Sequence, residues 1–300
     1  MDIIRKIKAE GSEWESLQKS LNEIDTLSDR WRSAISRQYT SPELLQKGIA
    51  ATISASLALE NISYPVEQIE KLIGQDTTLA NDKKQSLVAG YNAILNDLYA
   101  NPLDFPLCED TIVSIHTALF PHGKSPQGKI PNRQLNVVNF LDSKAPSLFN
   151  RNQAVSVNNE IRDLVKWTNN ELNKGTHHKL IVIAAFAYEF ISIHPFREGK
   201  GELSRILSTL LLIQNGYEWA KFTSIDSLFE KHRTEYYKTL KEGQQNRYSQ
   251  REDITPWVRF LCDMWRQSVK ALVPELPQSA GQNQERKPQS PPRATPAKEA

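Results

Sequence analysis

This chain of 300 residues has few cysteines and a small net charge, and each property argues against certain classes of protein. The two cysteines, Cys108 and Cys262, are far apart and have no histidine or third cysteine at ligand spacing, which argues against a disulfide framework and a structural zinc site. The 37 basic side chains nearly balance the 35 acidic ones, so the net charge of +2 gives no reason to expect nucleic acid or an anionic membrane as a partner.

Long apolar segments are absent as well. The longest one, near 180–193, is too short to span a bilayer, and the first ten residues lack the apolar core of a signal peptide. We therefore expect a cytoplasmic protein with no membrane partner. Only 12 glycines occur, and two of them, Gly199 and Gly201, lie one residue apart just after that apolar segment.

Apolar periodicity predicts a mainly α fold, a helical bundle. Apolar residues recur at three- and four-residue spacing through most of the chain, and Ser41 followed by Pro42 is typical of a helix start. A short alternating run at 134–140 predicts instead a β-hairpin flap at about 124–140. The predicted helices cover about 17–31, 41–61, 66–72, 82–99, 109–119, 156–173, 180–193, 203–215, 227–242 and 255–272.

The same patterns divide the chain into three parts. We expect an N-terminal helical region over 1–100, a core over 101–273 and a disordered tail over 274–300. The tail carries six of the 16 prolines and no aromatic residue, so burial of its side chains cannot offset the entropy of ordering it.

The segment between the helices at 180–193 and 203–215 concentrates groups that can do chemistry. Gly199 and Gly201 let several backbone N–H groups point at one place near a helix start, where an anion is favoured. His194 offers an imidazole that can act as a base, and the carboxylate of Glu198 can hold Mg²⁺. Taken singly, each has a simpler interpretation, an ordinary turn for the glycines and a core residue for His194, and the residues alone leave these open.

The sequence HPFREGKGELSR at 194–205 resembles the signature of the Fic family, HxFx(D/E)GNGRxxR. It matches the signature at the histidine, the phenylalanine, the acidic residue, both glycines and the last arginine. The resemblance extends over about 15–270, with 128–140 similar to the family's flap. The segment Ser56 to Asn61 also resembles the family's inhibitory motif, (S/T)xxxE(G/N), and lies N-terminal to the core, as in the subclass that carries its own inhibitor.

The resemblance implies a Fic-type helical bundle that acts as a protein adenylyltransferase, with ATP and Mg²⁺ as donor and cofactor. His194 would be the general base, Glu198 the magnesium ligand, and the flap would bind the target protein by main-chain pairing. The residues that would contact the nucleotide are Phe196, Gly199, Lys200, Gly201 and Arg205. Glu60 would inhibit by pairing with Arg205 in place of the γ-phosphate.

Two signature positions depart from the pattern. Lys200 stands where the family has asparagine, and Glu202 stands where it has the first arginine, so the loop loses one positive charge beside the phosphates. Three hypotheses remain: an adenylyltransferase with altered phosphate contacts, a transferase that uses another phosphate-containing donor, and a degenerate Fic domain that serves only as a protein-binding module. If Glu202 pairs with Arg205, Glu60 would be redundant as an inhibitor. The sequence also leaves open whether the chain forms a homo-oligomer.

Overall fold

The computed structural model of the protein describes residues 2–34, 41–74, 83–120, 130, 157–196 and 198–273. Within these ranges the chain forms eleven α-helices and three short 3-10 helices and contains no β-strand, so the predicted mainly α fold is confirmed. In chain order the α-helices are α1 (Gly11–Ala34), α2 (Pro42–Leu59), α3 (Val66–Ile73), α4 (Lys83–Ala100), α5 (Glu109–Leu119), α6 (Val157–Lys174), α7 (Lys179–Ile193), α8 (Lys200–Gln214), α9 (Ile225–Lys231), α10 (Arg233–Gln244) and α11 (Thr255–Leu272). The 3-10 helices are Ile4–Lys6, Pro102–Asp104 and Glu218–Phe222.

The flap predicted at about 124–140 lies outside the described residues except for Ile130, which is buried. The tail predicted at 274–300 lies outside them entirely. Helices from 1–100 pack on helices from 101–273, α1 on α11 and α2 on α9, and their apolar residues join one core. The division between these two parts stays a prediction.

α7 is the central helix of the bundle. Every residue from Leu180 to Ile193 is buried, and α7 packs against α6, α8 and α11. The apolar composition of this segment follows from its position, because a helix covered on all sides needs no polar face. Trp257 of α11 seals the contact by donating its indole N–H to the Ala184 carbonyl over 3.0 Å.

One acidic residue interrupts this apolar helix and anchors a buried ionic cluster. Glu189 accepts hydrogen bonds from Lys6 and from Arg247 Nη1, the latter at 2.9 Å. Lys6 also lies 3.1 Å from the Glu252 carboxylate, and Arg247 Nη1 lies 3.6 Å from it. The cluster ties the N-terminal segment to α7 and to the segment between α10 and α11, and nothing in the sequence periodicity pointed to it.

The predicted single helix at 227–242 is wrong. The structure divides this region at His232 into α9 and α10, with the His232 backbone at φ −105° and ψ 31°. The two helices pack differently, since α9 contacts α2 as well as α11, whereas α10 packs mainly on α11.

The structure confirms the predicted start of α2. Ser41 precedes it in an extended conformation, and its Oγ accepts a hydrogen bond from the Leu44 N–H over 3.2 Å, with Pro42 in the first turn. At its other end Glu60 is the C-cap, and Asn61 adopts a left-handed conformation at φ 62°. These ends place the Glu60 side chain at the tip of the helix.

Candidate active site

The loop between α7 and α8 begins at His194, which ends α7 in a left-handed conformation at φ 60° and ψ 58°. Such a backbone is uncommon for residues other than glycine, and strained positions of this kind concentrate at functional sites. The reversal holds the His194 ring inside the loop, where the residue is only 8% exposed. The observation marks His194 as a residue whose position is tightly specified.

The hydrogen bonds of His194 define which ring nitrogen carries the proton. Nδ1 lies 3.0 Å from the Phe196 carbonyl oxygen, and because a carbonyl can only accept, Nδ1 is the protonated nitrogen. Nε2 therefore keeps its lone pair and accepts a hydrogen bond from the Lys200 ammonium. Burial and the adjacent Lys200 charge lower the pKa of His194 to about 4, so the ring is neutral at pH 7. Nε2 is therefore the ring nitrogen that can take up a proton.

A second histidine holds the loop in place from α5. His116 stacks on the buried ring of Phe196, with centroids 3.8 Å apart and planes 11° from parallel. Its Nε2 donates to the Glu198 carbonyl oxygen over 3.2 Å. Burial lowers the pKa of His116, which keeps the ring neutral and leaves the N–H available for this bond. Sequence reasoning missed His116, since it sits on a separate helix with no motif around it.

The two glycines allow close approaches that no other residue would permit. Gly199 caps the start of α8 at φ +76°, and a methyl group on its Cα would collide with the Phe120 ring. A methyl group on Gly201 would collide with the Glu60 carboxylate and lie 2.9 Å from Arg205 Nη1. The first turn of α8 therefore leaves room for an anionic group directly against its backbone, and Glu60 now lies there.

Arg205 is the buried cation of the site. Its Nε donates to Asp226 Oδ2 over 3.1 Å, and its Nη2 donates to Glu60 Oε1 over 3.2 Å. Ser56 Oγ accepts from Nε and Nη2 at 3.0 and 2.8 Å and also bonds the Tyr91 hydroxyl at 2.6 Å. Nη1 has no hydrogen-bond partner among the described residues. A guanidinium held on one edge and unpartnered on another is suited to bind a further anionic oxygen.

Asp226 was not anticipated from the sequence. It lies in the first turn of α9, which packs on α2, and its side chain is almost fully buried. Burial raises its pKa, while Arg205 and Ser56 act in the opposite direction. The ion pairs of Arg205 within the described part of the chain are with Asp226 and Glu60, and not with Glu202 as weighed from the sequence.

Glu202 is buried in the first turn of α8, at 4% exposure. Its Oε2 has no hydrogen-bond partner within the described ranges. Burial, assisted by the nearby Glu60 charge, raises the pKa of Glu202 to about 8. The side chain is thus mostly protonated at pH 7, so the negative charge that the sequence predicts at this position of the loop is largely absent.

Lys200 is the first residue of α8 and stays mostly protonated at pH 7. Burial lowers its pKa to about 8, whereas the charges of Glu60 and Glu202 oppose that change. Its ammonium therefore brings a positive charge to the loop, where it donates a hydrogen bond to the unprotonated Nε2 of His194.

Glu198 lies in the loop immediately before Gly199, partly exposed. Among the described residues no group of three or more His, Cys, Asp and Glu side chains could hold a metal ion. Mg²⁺ in nucleotide sites is usually held by one or two carboxylates together with substrate phosphates. A single carboxylate at this point of the loop fits that mode of binding.

Known proteins resemble the part of the chain that contains this loop. Positions 106–212 match the Fic/DOC family. The protein called protein adenylyltransferase Fic from Drosophila melanogaster is 30% identical over 116 residues, which cover 38% of this chain and 21% of that protein. Its counterpart from Drosophila persimilis is 31% identical over 117 residues, covering 38% of this chain and 20% of that protein. This chain contains a Fic domain. The match spans about a fifth of the length of these relatives.

Solved structures resemble a larger part of the chain. A Fic family protein from Desulfovibrio desulfuricans G20 has a TM-score of 0.68 at 24% identity, covering 86% of this chain and 74% of that one. Fic-1 from C. elegans has a TM-score of 0.64 at 18% identity, covering 86% of this chain and 71% of that one. These likenesses show that the helical fold is shared well beyond the Fic domain itself.

The structure brings the predicted site residues of the Fic domain into one loop and the first turns of α8. They are His194, Phe196, Glu198, Gly199, Lys200, Gly201, Glu202 and Arg205. Glu60 lies outside the matched residues 106–212, yet it contacts Arg205 within them. Ser56 belongs to the same six-residue segment as Glu60, so the resemblance of that segment to the inhibitory motif could have indicated Ser56 as a site residue as well. The target-binding flap is the one predicted part of the site that falls outside the described residues, apart from Ile130.

Proposed function

We propose that this protein is a Fic-type adenylyltransferase, which moves AMP from ATP to a serine, threonine or tyrosine hydroxyl of a protein. The observation that carries the proposal is the arrangement of one loop, in which an unprotonated His194 Nε2 lies six residues before a helix start built to receive an anion. The names of the Drosophila relatives support the same reaction.

The residues fit a triphosphate. Gly199 and Gly201 remove the side chains that would block approach to the first turn of α8, and Arg205 Nη1 is a buried donor without a partner among the described residues. Phe196, packed on His116, fixes the loop whose N–H groups would face the phosphates. Glu198 would hold Mg²⁺, which when bound neutralises charge on the phosphate oxygens.

In the reaction, the target hydroxyl oxygen forms a bond to the α-phosphorus of ATP, the bond from that phosphorus to the β-phosphate bridging oxygen breaks, and pyrophosphate leaves. The hydroxyl proton goes to His194 Nε2. The Nδ1–H bond to the Phe196 carbonyl keeps the ring oriented for this transfer and stabilises the imidazolium that forms. The target protein would lie along the flap at about 124–140, which stays a prediction.

Glu60 would act as an inhibitor of this reaction. Its carboxylate bonds Arg205 Nη2 at 3.2 Å and occupies the space over Gly201. A γ-phosphate that used the same guanidinium edge would have to displace it. The pair is partly exposed on the glutamate side, with the Glu60 side chain 22% exposed, so displacement does not require the core to open.

The altered residues change the contacts of the phosphates without removing them. Protonated Glu202 can donate its O–H to a phosphate oxygen, which an ionised carboxylate could not do. Lys200 adds a positive charge at the first position of α8. These changes favour the adenylyltransferase hypothesis over a module that has lost its nucleotide. The two thiols, with Cys262 buried, suit the reducing cytoplasm that we propose as the site of action.

The experiment uses the full chain with Mg²⁺ and ATP labelled at the α-phosphate. The variants are Glu60→Gly, Glu60→Gln and His194→Ala, and incorporation of AMP into the protein itself or into a cell extract is measured by intact mass and by label. We expect little incorporation by the native chain, at least about tenfold more by Glu60→Gly, an intermediate level for the isosteric Glu60→Gln, and none by His194→Ala.

ATP labelled at the γ-phosphate is the control, because an adenylyl transfer leaves that label in solution. Nucleotide binding to Glu60→Gly is measured by calorimetry in parallel. If this variant binds no nucleotide, the adenylyltransferase hypothesis is wrong and the protein-binding module gains support. If it binds ATP without transfer but is modified by another nucleotide donor, the chain is a Fic transferase of different donor specificity.

A further inference from the structure

One contact in the site has no counterpart in the proposed reaction. The Lys200 ammonium donates a hydrogen bond to His194 Nε2, the nitrogen that would take the proton of the target hydroxyl. We propose that Lys200 is a latch on the catalytic base, which occupies His194 Nε2 while the site is empty and is drawn away by the phosphates of the incoming donor. This inference rests on the proposed function of His194 as the base.

The contact blocks the base because His194 has one acceptor nitrogen and the latch uses it. Nδ1 is committed as a donor to the Phe196 carbonyl at 3.0 Å. A hydroxyl that delivers its proton must come within about 3 Å of Nε2, in the place that the ammonium now fills. An adjacent positive charge also opposes protonation of the ring. Lys200 therefore lowers both the access to the base and its basicity.

The latch is placed so that phosphate can release it. Lys200 is the first residue of α8 and follows Gly199, so its side chain starts at the helix end that would receive the donor. Lysine is a flexible side chain with a compact charge that can change partners at small cost, unlike a bidentate arginine. Phosphate oxygens carry more charge than a neutral imidazole and offer the ammonium a stronger partner.

The nearby carboxylate of Glu60 on α2 attracts the Lys200 ammonium. When a donor displaces Glu60 from Arg205, the negative charge near Lys200 is replaced by that of the phosphates. The same event that would relieve inhibition at Arg205 would thus uncover the base at His194.

The experiment reads the His194 imidazole directly by nitrogen NMR in chain labelled at its six histidines. The resonance is assigned by its loss in His194→Asn. Lys200→Met keeps the length of the side chain and removes its charge. Lys179→Met is the matched control, since Lys179 is likewise the first residue of its helix, α7, and bonds the Asn215 carbonyl instead.

In the native chain we expect His194 to stay neutral from pH 7 down to about pH 5, whereas in Lys200→Met the ring begins to protonate within this range and its Nε2 resonance shifts at pH 7. Lys179→Met should match the native chain. If Lys200→Met leaves both the His194 resonance and its titration unchanged, the latch does not exist.

Release is tested with inorganic tripolyphosphate on the Glu60→Gly chain, in which the phosphate site is uncovered. Its addition should shift the His194 Nε2 resonance toward the position seen in Lys200→Met, and it should leave that resonance unchanged in the double variant Glu60→Gly/Lys200→Met. No shift, or no binding of tripolyphosphate by calorimetry, overturns the release step. These readouts need no AMP transfer, so a latch without adenylyl transfer would refute only the proposed function, and transfer without a latch would refute only this inference.

Discussion

Burial of Glu202 has a measurable consequence for stability as a function of pH. Its pKa is about 8 in the folded chain against an ordinary value of 4.5. In the unfolded chain the carboxyl ionises above about pH 4.5, whereas in the folded chain it keeps its proton until about pH 8. The unfolded state therefore binds fewer protons throughout this window, and the contribution of Glu202 to folding is lost as the pH rises from about 4.5 to about 8.

The magnitude follows from the width of the window. Each pH unit corresponds to about 1.4 kcal/mol, so the free energy of unfolding falls by about 5 kcal/mol over the whole window from about pH 4.5 to about pH 8. Glu202→Gln removes the ionisation and preserves the shape of the side chain. We expect the variant to gain stability relative to the native chain as the pH rises, with the gain levelling off above about pH 8.

The assay is denaturant unfolding of both chains at pH 5, 6, 7 and 8, compared through the difference in their free energies of unfolding. Taking the difference cancels the titrating groups that do not interact with Glu202. Glu235→Gln serves as control, because the Glu235 side chain is half exposed on α10. A difference between Glu202→Gln and native that stays constant across the four pH values would refute the argument that Glu202 is buried in its protonated form.

Two further substitutions test the structure around the loop. Gly199→Ala should destabilise the chain by about 2 kcal/mol in thermal unfolding, because an alanine at φ +76° is strained and its methyl group meets the Phe120 ring. A loss below about 0.5 kcal/mol would contradict this. Arg247→Met should cost about 3 kcal/mol by leaving Glu189 without its main buried partner, whereas Arg259→Met, at an exposed pair, should cost under about 1 kcal/mol. Equal losses for both arginines would contradict the assigned burial.

Much of the fold could be predicted because helical periodicity and capping are local. Ser41 and Pro42 mark the start of α2, and the apolar segment before His194 is buried along its whole length. The division at His232 could not be predicted, because α9 and α10 differ in the helices on which they pack rather than in their own periodicity. Glu189 was missed for the same reason, since its partners come from distant segments.

The candidate site shows the same limit at the level of side chains. The signature HPFREGKGELSR brought out the loop and its residue types, and the segment ending in Glu60 brought out the partner of Arg205. The sequence did not show that Asp226 and Ser56 share the guanidinium, because they approach from α9 and α2. Nor could it give the charge of Glu202, which depends on how deeply the first turn of α8 is covered.

The sequence and the structure lead to different interpretations of the two departures from the Fic signature. In the sequence the charges of Lys200 and Glu202 cancel and an arginine of the signature is lost, which suggests a weakened phosphate site. In the structure Glu202 is mostly neutral at pH 7, and Lys200 lies against the base. In the proposed mechanism Glu60 on Arg205 would control the phosphate side of the site, and Lys200 on His194 would control the base side. Since a polyanionic donor would compete for both cations at once, the residues that look like a loss of function would act as a second control on the proposed reaction.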